Sequence, residues 1–471
     1  MATFMAAVES TIVATAMPTI VADLGGFNLF SWVFAVYLLT QAVTIPVYGR
    51  LADVYGRKRV FYAGAGLFLV GSTLCGFAPS MVWLIAARAL QGCGAGGVQP
   101  IAMTICGDIY TPAERARVQG LISSVFGIAA VAGPSLGAWL VEHAAWQIVF
   151  WVNLPIGAAA IVMIASFLTE TVERKPHRVD VLGSVLLAIG IGALMLALIQ
   201  RADFGPWMTA SVIAAGLLAL GVLVAHESRT PEPMLMGSLL RERVILIGSV
   251  GSGLAGAVMM GISAFLPTYV QGAMGHSAMM AGLVLGAMSV TWALASIFGG
   301  RIMVRTTYRL AAVAGALALV AGCTWLVLMT PERGVAWATA GSLVIGVGMG
   351  CCNTAFIVSI QAAVPWNRRG AATGWCLFLR FIGQAMGAAS FGAVLNATIA
   401  ARLPEAAHML DHLLEPAQRA MLPAAKRAAL VEVVAAGLHN AYWLGIGLSI
   451  VLLALVSCLP PRLSPAGQPL R

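Results

Sequence analysis

The sequence predicts an all-α integral membrane protein of about fourteen transmembrane helices, and three observations point there. Hydrophobic residues fill 60% of the 471 positions and charged residues only 10%, with a mean hydropathy of +0.91. A soluble domain carries charge at roughly a quarter of its positions, so one water-soluble globule cannot bury this composition. The apolar residues are gathered into runs of about twenty, the length a helix needs to cross a bilayer core of ~30 Å. The formal net charge of +9 is dispersed through short loops between those runs. It forms no single basic stripe, which sets the chain apart from nucleic-acid-binding proteins.

A sliding window of about twenty residues places a first set of spans near 3–22, 29–49, 60–78, 82–106, 117–140 and 146–168. The first of these has no basic stretch before it and no small-residue cleavage site after it, and reads as an uncleaved helix. Two further spans fall near 181–200 and 208–226, and a second set near 244–270, 278–299, 310–330, 336–361, 371–398 and 437–459. The implied organisation is an N-terminal six-helix bundle over 1–168 and a linker carrying two extra spans over 169–243. A C-terminal six-helix bundle then occupies 244–471. The one long extramembrane stretch, 400–436, contains HMLDHLLEP and AAKRAALVEVVAAGL, read as short amphipathic helices on the outer surface.

Basic residues test the count, because Lys and Arg concentrate in short cytoplasmic loops. With the N-terminus inside, about nineteen of the 27 Lys and Arg fall on the cytoplasmic side. Missing one span would invert every later loop and erase that asymmetry. An even count with both termini cytoplasmic follows.

Several enzyme classes are excluded by what the chain lacks. The only lysines are Lys58, Lys175 and Lys426, and none is followed by Ser or Thr, so there is no phosphate-binding loop of the ATPase type. The eight cysteines lie within apolar runs without metal-ligand spacing, which suits packing rather than a metal site or a disulfide scaffold. GCGAGG from Gly92 to Gly97 fits a dinucleotide-binding spacing, but no strand precedes it, and small residues in an apolar helix serve close helix approach. No nucleophile with a base at recognisable spacing appears. The expectation is a protein that is not an enzyme, holds no cofactor or metal, and uses neither ATP nor nucleic acid.

Two segments repeat weakly. PAERARVQG from Pro112 and PWNRRGAATG from Pro365 each place Arg shortly before a Gly that opens a Gly-rich span, as in transporters built from internal repeats. Gly133 and Gly387 then stand at equal distances from Gly120 and Gly374.

Five motifs carry a more specific resemblance. GRLADVYGRKR from Gly49 to Arg59 resembles the signature loop of the major facilitator superfamily. RALQGCGAGG from Arg88 to Gly97 resembles that superfamily's fourth-helix motif, and GIAAVAGPSLG from Gly127 to Gly137 its antiporter motif. ESTIVATAMPTI from Glu9 to Ile20 is similar to the first helix of the fourteen-spanning drug:proton antiporters of EmrB/QacA type. WQIVFWVNLPIG from Trp146 to Gly157 is similar to that subfamily's sixth-helix opening. The resemblance implies a major facilitator fold, two six-helix bundles with pseudo-two-fold symmetry plus two inserted helices. It also implies proton-coupled export of amphipathic compounds by alternating access across a bacterial inner membrane.

Each motif also has a physical reading. In the loop, Gly49 and Gly56 permit a tight turn. Asp53 can accept bonds at a helix N-terminus, while Arg57, Lys58 and Arg59 suit helix C-terminal carbonyls or anionic lipid headgroups. The resemblance makes these residues a conformational latch; a plain positive-inside loop is the alternative. Gly127, Gly133, Pro134 and Gly137 make a bendable, closely packed fifth helix.

Arg88 costs at least about 2.5 kcal/mol in a transmembrane helix unless paired or hydrated. Glu9 is the acid placed well inside a first-half span, and the resemblance puts both helices at the central cavity, so the two are assigned to each other. A nearby cation favours the charged carboxylate and burial disfavours it, a balance that suits proton exchange. The family usually has Asp at the position of Glu9. An ion pair without transport coupling is the structural alternative.

Arg380 poses the same problem in the second half, facing a cavity or snorkelling to the inner interface. Trp32, Tyr37, Gln41, Gln99, Asn353, Gln361, Trp375 and Gln384 complete the candidate substrate cavity. The expected partners are protons, membrane lipid and a small amphipathic substrate; a periplasmic adaptor is not shown by the sequence. A dedicated exporter of one metabolite, antibiotic or siderophore is the alternative function, and a transport-inactive receptor or scaffold a remote one.

Overall fold

The computed structural model describes residues 1–109, 125, 128–129, 132–168, 180–201, 204–230, 242–364, 369–403, 421 and 423–460. Among these residues all regular structure is helical. Helix α1 spans Ala2–Leu24, α2 Phe30–Tyr55, α3 Arg57–Gly76 and α4 Met81–Ile109. A helical stretch follows over 132–143, then α5 (Ile148–Trp151), α6 (Asn153–Phe167), α7 (Val181–Ile199) and α8 (Pro206–Glu227). The second series is α9 (Arg243–Thr268), α10 (Ala278–Arg305), α11 (Tyr308–Val327), α12 (Gly334–Ala363), α13 (Arg369–Arg402) and α14 (Ala424–Ser457).

Thirteen helices among the described residues are long and apolar enough to cross a membrane. They coincide with every expected span but the fifth, 117–140, half of which lies outside the described residues. Continuous helix is what lipid imposes, since no water reaches the hydrocarbon to satisfy a free backbone N–H or C=O. Helix ends fall where the sequence supplies a break. Gly56 takes φ 91° between α2 and α3, a conformation that L side chains rarely adopt. Asp180 caps α7 by accepting from Gly183 N at 2.8 Å, and Thr307 caps α11 through Leu310 N at 3.2 Å.

One expected element is corrected. The fragment AAKRAALVEVVAAGL is not a separate surface helix but the first part of α14, a single 34-residue helix. Nothing between Ala424 and Ser457 breaks a helix, since the segment holds no Pro and its glycines are tolerated inside a packed span.

The chain forms two compact units, Met1–Met234 with Glu405–Leu422, and Leu235–Pro404 with Pro423–Arg471. In the first, α4 packs against both α2 and α3, and the Gly-rich run divides its faces between them. A Cβ on Gly92 would stand 2.1 Å from Thr40 Oγ1 of α2, and one on Gly94 would stand 2.2 Å from Phe68 N of α3. Gly94→Val therefore has no neighbour that can yield except a backbone, and we expect it to cost at least about 1–3 kcal/mol, read as a lowered Tm of the detergent-purified protein. An unchanged Tm would show that α3 and α4 do not meet at Gly94.

The same device recurs where the first helix of each unit meets its glycine-bearing partner. Cβ atoms on Gly133 and Gly137 would fall 2.0 Å from Thr11 Oγ1 and 2.7 Å from Ile12 O of α1. In the second unit, Cβ atoms on Gly383 and Gly387 would fall 2.0 Å from Gly253 O and 2.3 Å from Ala257 O of α9. Gly127 lies outside the described residues.

The inserted pair belongs to the first unit. Helices α7 and α8 pack on each other, and α7 touches α2. Only 17% of the most apolar stretch of α8 is buried, leaving Trp207, Leu217, Leu218 and Val224 outward, as a lipid-facing helix requires. Asp180 also meets His226 Nε2 of α8 at 2.9 Å, clasping one end of the pair.

Candidate functional site

Arg88 and Gln91 stand three residues apart on α4 and so share a face, and that face looks into the interior of the first unit. Glu9 comes to it from α1, with no exposed surface, while Arg88 is 2% exposed. Arg88 Nη1 donates to Glu9 Oε1 and to Gln91 Oε1 at 2.6 Å. Its Nε donates to the Val33 carbonyl of α2 at 3.2 Å, and the guanidinium carbon lies 3.9 Å over the Tyr37 ring. The cation is thus met by a carboxylate, an amide, a carbonyl and a π face, as a buried charge demands.

The carboxylate is held from the other side by α6. Asn153, itself fully buried, donates from Nδ2 to Glu9 Oε2 at 2.5 Å. Gln91 passes the network on, donating to Ser72 Oγ of α3 at 2.7 Å. Five helices of one unit therefore converge on one carboxylate–guanidinium pair. The Oδ1 atom of Asn153 is buried with no hydrogen-bond partner, so the amide could turn over and present an acceptor instead of a donor. A carboxylate needs the donor, and a protonated carboxyl needs the acceptor.

Of the residues expected from sequence, Glu9, Arg88 and Tyr37 are brought together. Gln41 is buried one turn beyond Tyr37, Trp32 is half-buried near the start of α2, and Gln99 is half-buried about 16 Å along α4 from Arg88. These three stand outside the pair's hydrogen bonds. Asn153, Gln91 and Ser72 are site residues that the sequence reading passed over. Gln91 could have been found by its spacing from Arg88, whereas Asn153, one of two amides in WQIVFWVNLPIG, carries no such signal.

In the second unit, Arg380 Nη1 donates to Asn353 Oδ1 at 3.1 Å, and Gln361 donates to Thr373 Oγ1 at 3.2 Å. Gln384 Nε2 approaches Met259 Sδ at 3.8 Å, and Trp375 stands edge-on to Phe378. The segment expected as a loop is helix on both sides of Gly56, and from the first turn of α3 Lys58 Nζ donates to the carbonyls of Ala165 and Leu168, each at 2.8 Å. Those carbonyls end α6, where a cation complements the helix dipole. Arg57 is half-buried and Arg59 is exposed, while the side chain of Asp53 lies outside the described residues. Gly49, expected to permit a tight turn, is instead an exposed residue inside α2, and the turn falls at Gly56 alone. No group of acids, histidines and cysteines that could hold a metal occurs among the described residues.

Comparison with known proteins bears on this arrangement. The model of the Major Facilitator Superfamily matches residues 1–388. The chain is 33% identical over 399 residues to the multidrug transporter protein MdtP of Bacillus subtilis, covering 84% of this chain and 74% of that protein. It is 34% identical over 410 residues to multidrug resistance protein 3 of the same organism, covering 85% and 79%. Among solved structures, a bacterial homolog of the human lysosomal transporter Spinster, inward-facing and unoccupied, aligns at a TM-score of 0.66 and 17% identity. That alignment covers 97% of this chain and 94% of that one, a likeness of fold.

Proposed function

This chain belongs to the major facilitator superfamily, and from that membership we propose that it is a proton-coupled exporter of hydrophobic or amphipathic compounds, a multidrug antiporter working by alternating access. Membership makes it a multi-pass membrane carrier of small molecules and not an enzyme. The finer reading assigns it to the fourteen-spanning drug:proton antiporters of EmrB/QacA type, in the inner membrane with both termini cytoplasmic. The plan of six plus two plus six spans belongs to the same proposal.

The observation that carries the reading is the convergence on Glu9. A carboxylate with no exposed surface is held by one guanidinium and by an amide with a spare acceptor. When a proton arrives on Oε2, Asn153 turns over and accepts from it through Oδ1. Arg88 keeps Gln91, the Val33 carbonyl and the Tyr37 face as partners. The carboxyl is then hydrogen-bonded in both protonation states, and the guanidinium keeps neutral partners while its counter-ion is protonated, which is what a proton carrier inside a membrane needs. Lys58 with its neighbours acts as the latch, and the Gly133–Gly137 seam against α1 transmits the change at Glu9 to the fifth span. The multidrug names of two relatives above 30% identity support a broad substrate range.

The test uses the purified chain in vesicles with a pH-sensitive dye inside. Addition of amphipathic compounds such as ethidium, tetraphenylphosphonium or norfloxacin should move protons, and an uncoupler should abolish protection of growing cells against the same compounds. Transport that proceeds unchanged with the gradient collapsed would reject proton coupling.

A further inference from the structure

The second unit contains a cation that its own residues do not neutralise. Arg380 lies eight residues into the apolar stretch Ala372–Arg402, about 12 Å along the helix axis. Its stem is pinned there: a Cβ on Gly256 of α9 would stand 2.7 Å from the Arg380 carbonyl and 3.2 Å from its Cγ. The side chain therefore lies against the α9 backbone, where snorkelling toward an interface would require the two helices to part.

The guanidinium has one neutral hydrogen-bond partner, Asn353, and its Nε is buried with none. Among the described residues no carboxylate pairs with it. Sequence accounts for this, because beyond Glu242 the second unit holds only two acids, Glu332 and Glu432, and neither is an ion-pair partner of Arg380 among the described residues. Glu332 sits before the start of α12, and Asn353 is about 28 Å further along that helix. Arg88, by contrast, is neutralised within its own unit. Arg380 and Asn353 both retain partial exposure, and the Gln361–Thr373 pair continues the polar seam between α12 and α13.

We propose that Arg380 is the anchoring point for the anionic head, a carboxylate or sulfonate, of an amphipathic transported compound, with Asn353 fixing the guanidinium so that its open edge faces the ligand. This rests on the chain being a transporter and narrows its substrates to a class that includes organic anions. A lipid phosphate offers the same chemistry, but a headgroup belongs at the interface, and the pinned depth of Arg380 favours the free compound.

The test is binding of 1-pyrenebutyrate against its uncharged analogue 1-pyrenebutyramide to the full chain in phosphatidylcholine nanodiscs, read by energy transfer from tryptophan. The wild type should bind the anion at least about tenfold more tightly than the amide. The preference should vanish in Arg380→Gln, and also in Asn353→Asp, which supplies an internal carboxylate and leaves no bare charge behind. A wild type without preference, or a preference that survives both substitutions, overturns the proposal. So does a preference erased in the wild type by adding phosphatidylglycerol, which would assign the cation to lipid. A chain that selects the anion but moves no protons fails the coupling reading alone; one that couples protons but ignores charge fails this one alone.

Discussion

Glu9→Gln should reduce substrate-driven proton movement to the level of empty vesicles while leaving the chain folded. An amide cannot titrate, yet it fits the same cage. Its oxygen still accepts from Arg88, and its new N–H group finds Oδ1 of Asn153, the acceptor left unused in the wild type. Exchange of substrate across the membrane without a gradient should therefore continue and lose its dependence on pH. Both are measured in the same vesicles, one by the internal dye and one by counterflow of labelled substrate. Proton movement that survives the substitution would remove Glu9 from the coupling role, and a chain too unstable to purify would show that its charge is needed for folding instead.

Arg88→Leu should be the most damaging single change. Removing one member of a buried pair leaves the other without compensation, a loss on the order of 3–5 kcal/mol. Here the loss also strips the partner from Gln91 Oε1 and opens the space over Tyr37. Low yield and a much reduced Tm are the expected readings. Combining it with Glu9→Gln should recover part of the loss, because the stranded carboxylate is then gone, and the double-mutant cycle measures the coupling directly. Strict additivity would mean that the two side chains, though adjacent, do not stabilise one another.

The spans were legible because a bilayer leaves the backbone no choice but helix, so hydropathy over twenty residues reads almost directly as structure. Glu9 and Arg88 were legible for a related reason, since ionisable groups are scarce in hydrocarbon and must find each other. Asn153 was not. An amide in an apolar run is unremarkable by itself, and nothing in helical periodicity joins position 153 to position 9 across 144 residues. The same holds for Arg380 and Asn353, each named separately as a polar residue of the second half but paired only by the packing of α12 on α13. The start of α14 was misread because Lys426 and Arg427 made it look like a surface helix; the absence of a breaker before the apolar run was the better guide.

The inserted pair has a consequence for where the protein can work. Helices α7 and α8 are 19 and 22 residues long, about 28 and 33 Å, and they are only six residues apart in the chain and clasped at the far end by Asp180 and His226. With α8 so little covered by protein, their length must match the surrounding hydrocarbon, because each ångström of mismatch costs a fraction of a kcal/mol. The 34-residue helices α13 and α14 can tilt or stand proud of the surface. The pair is thus sized for membranes whose acyl chains span about 30 Å.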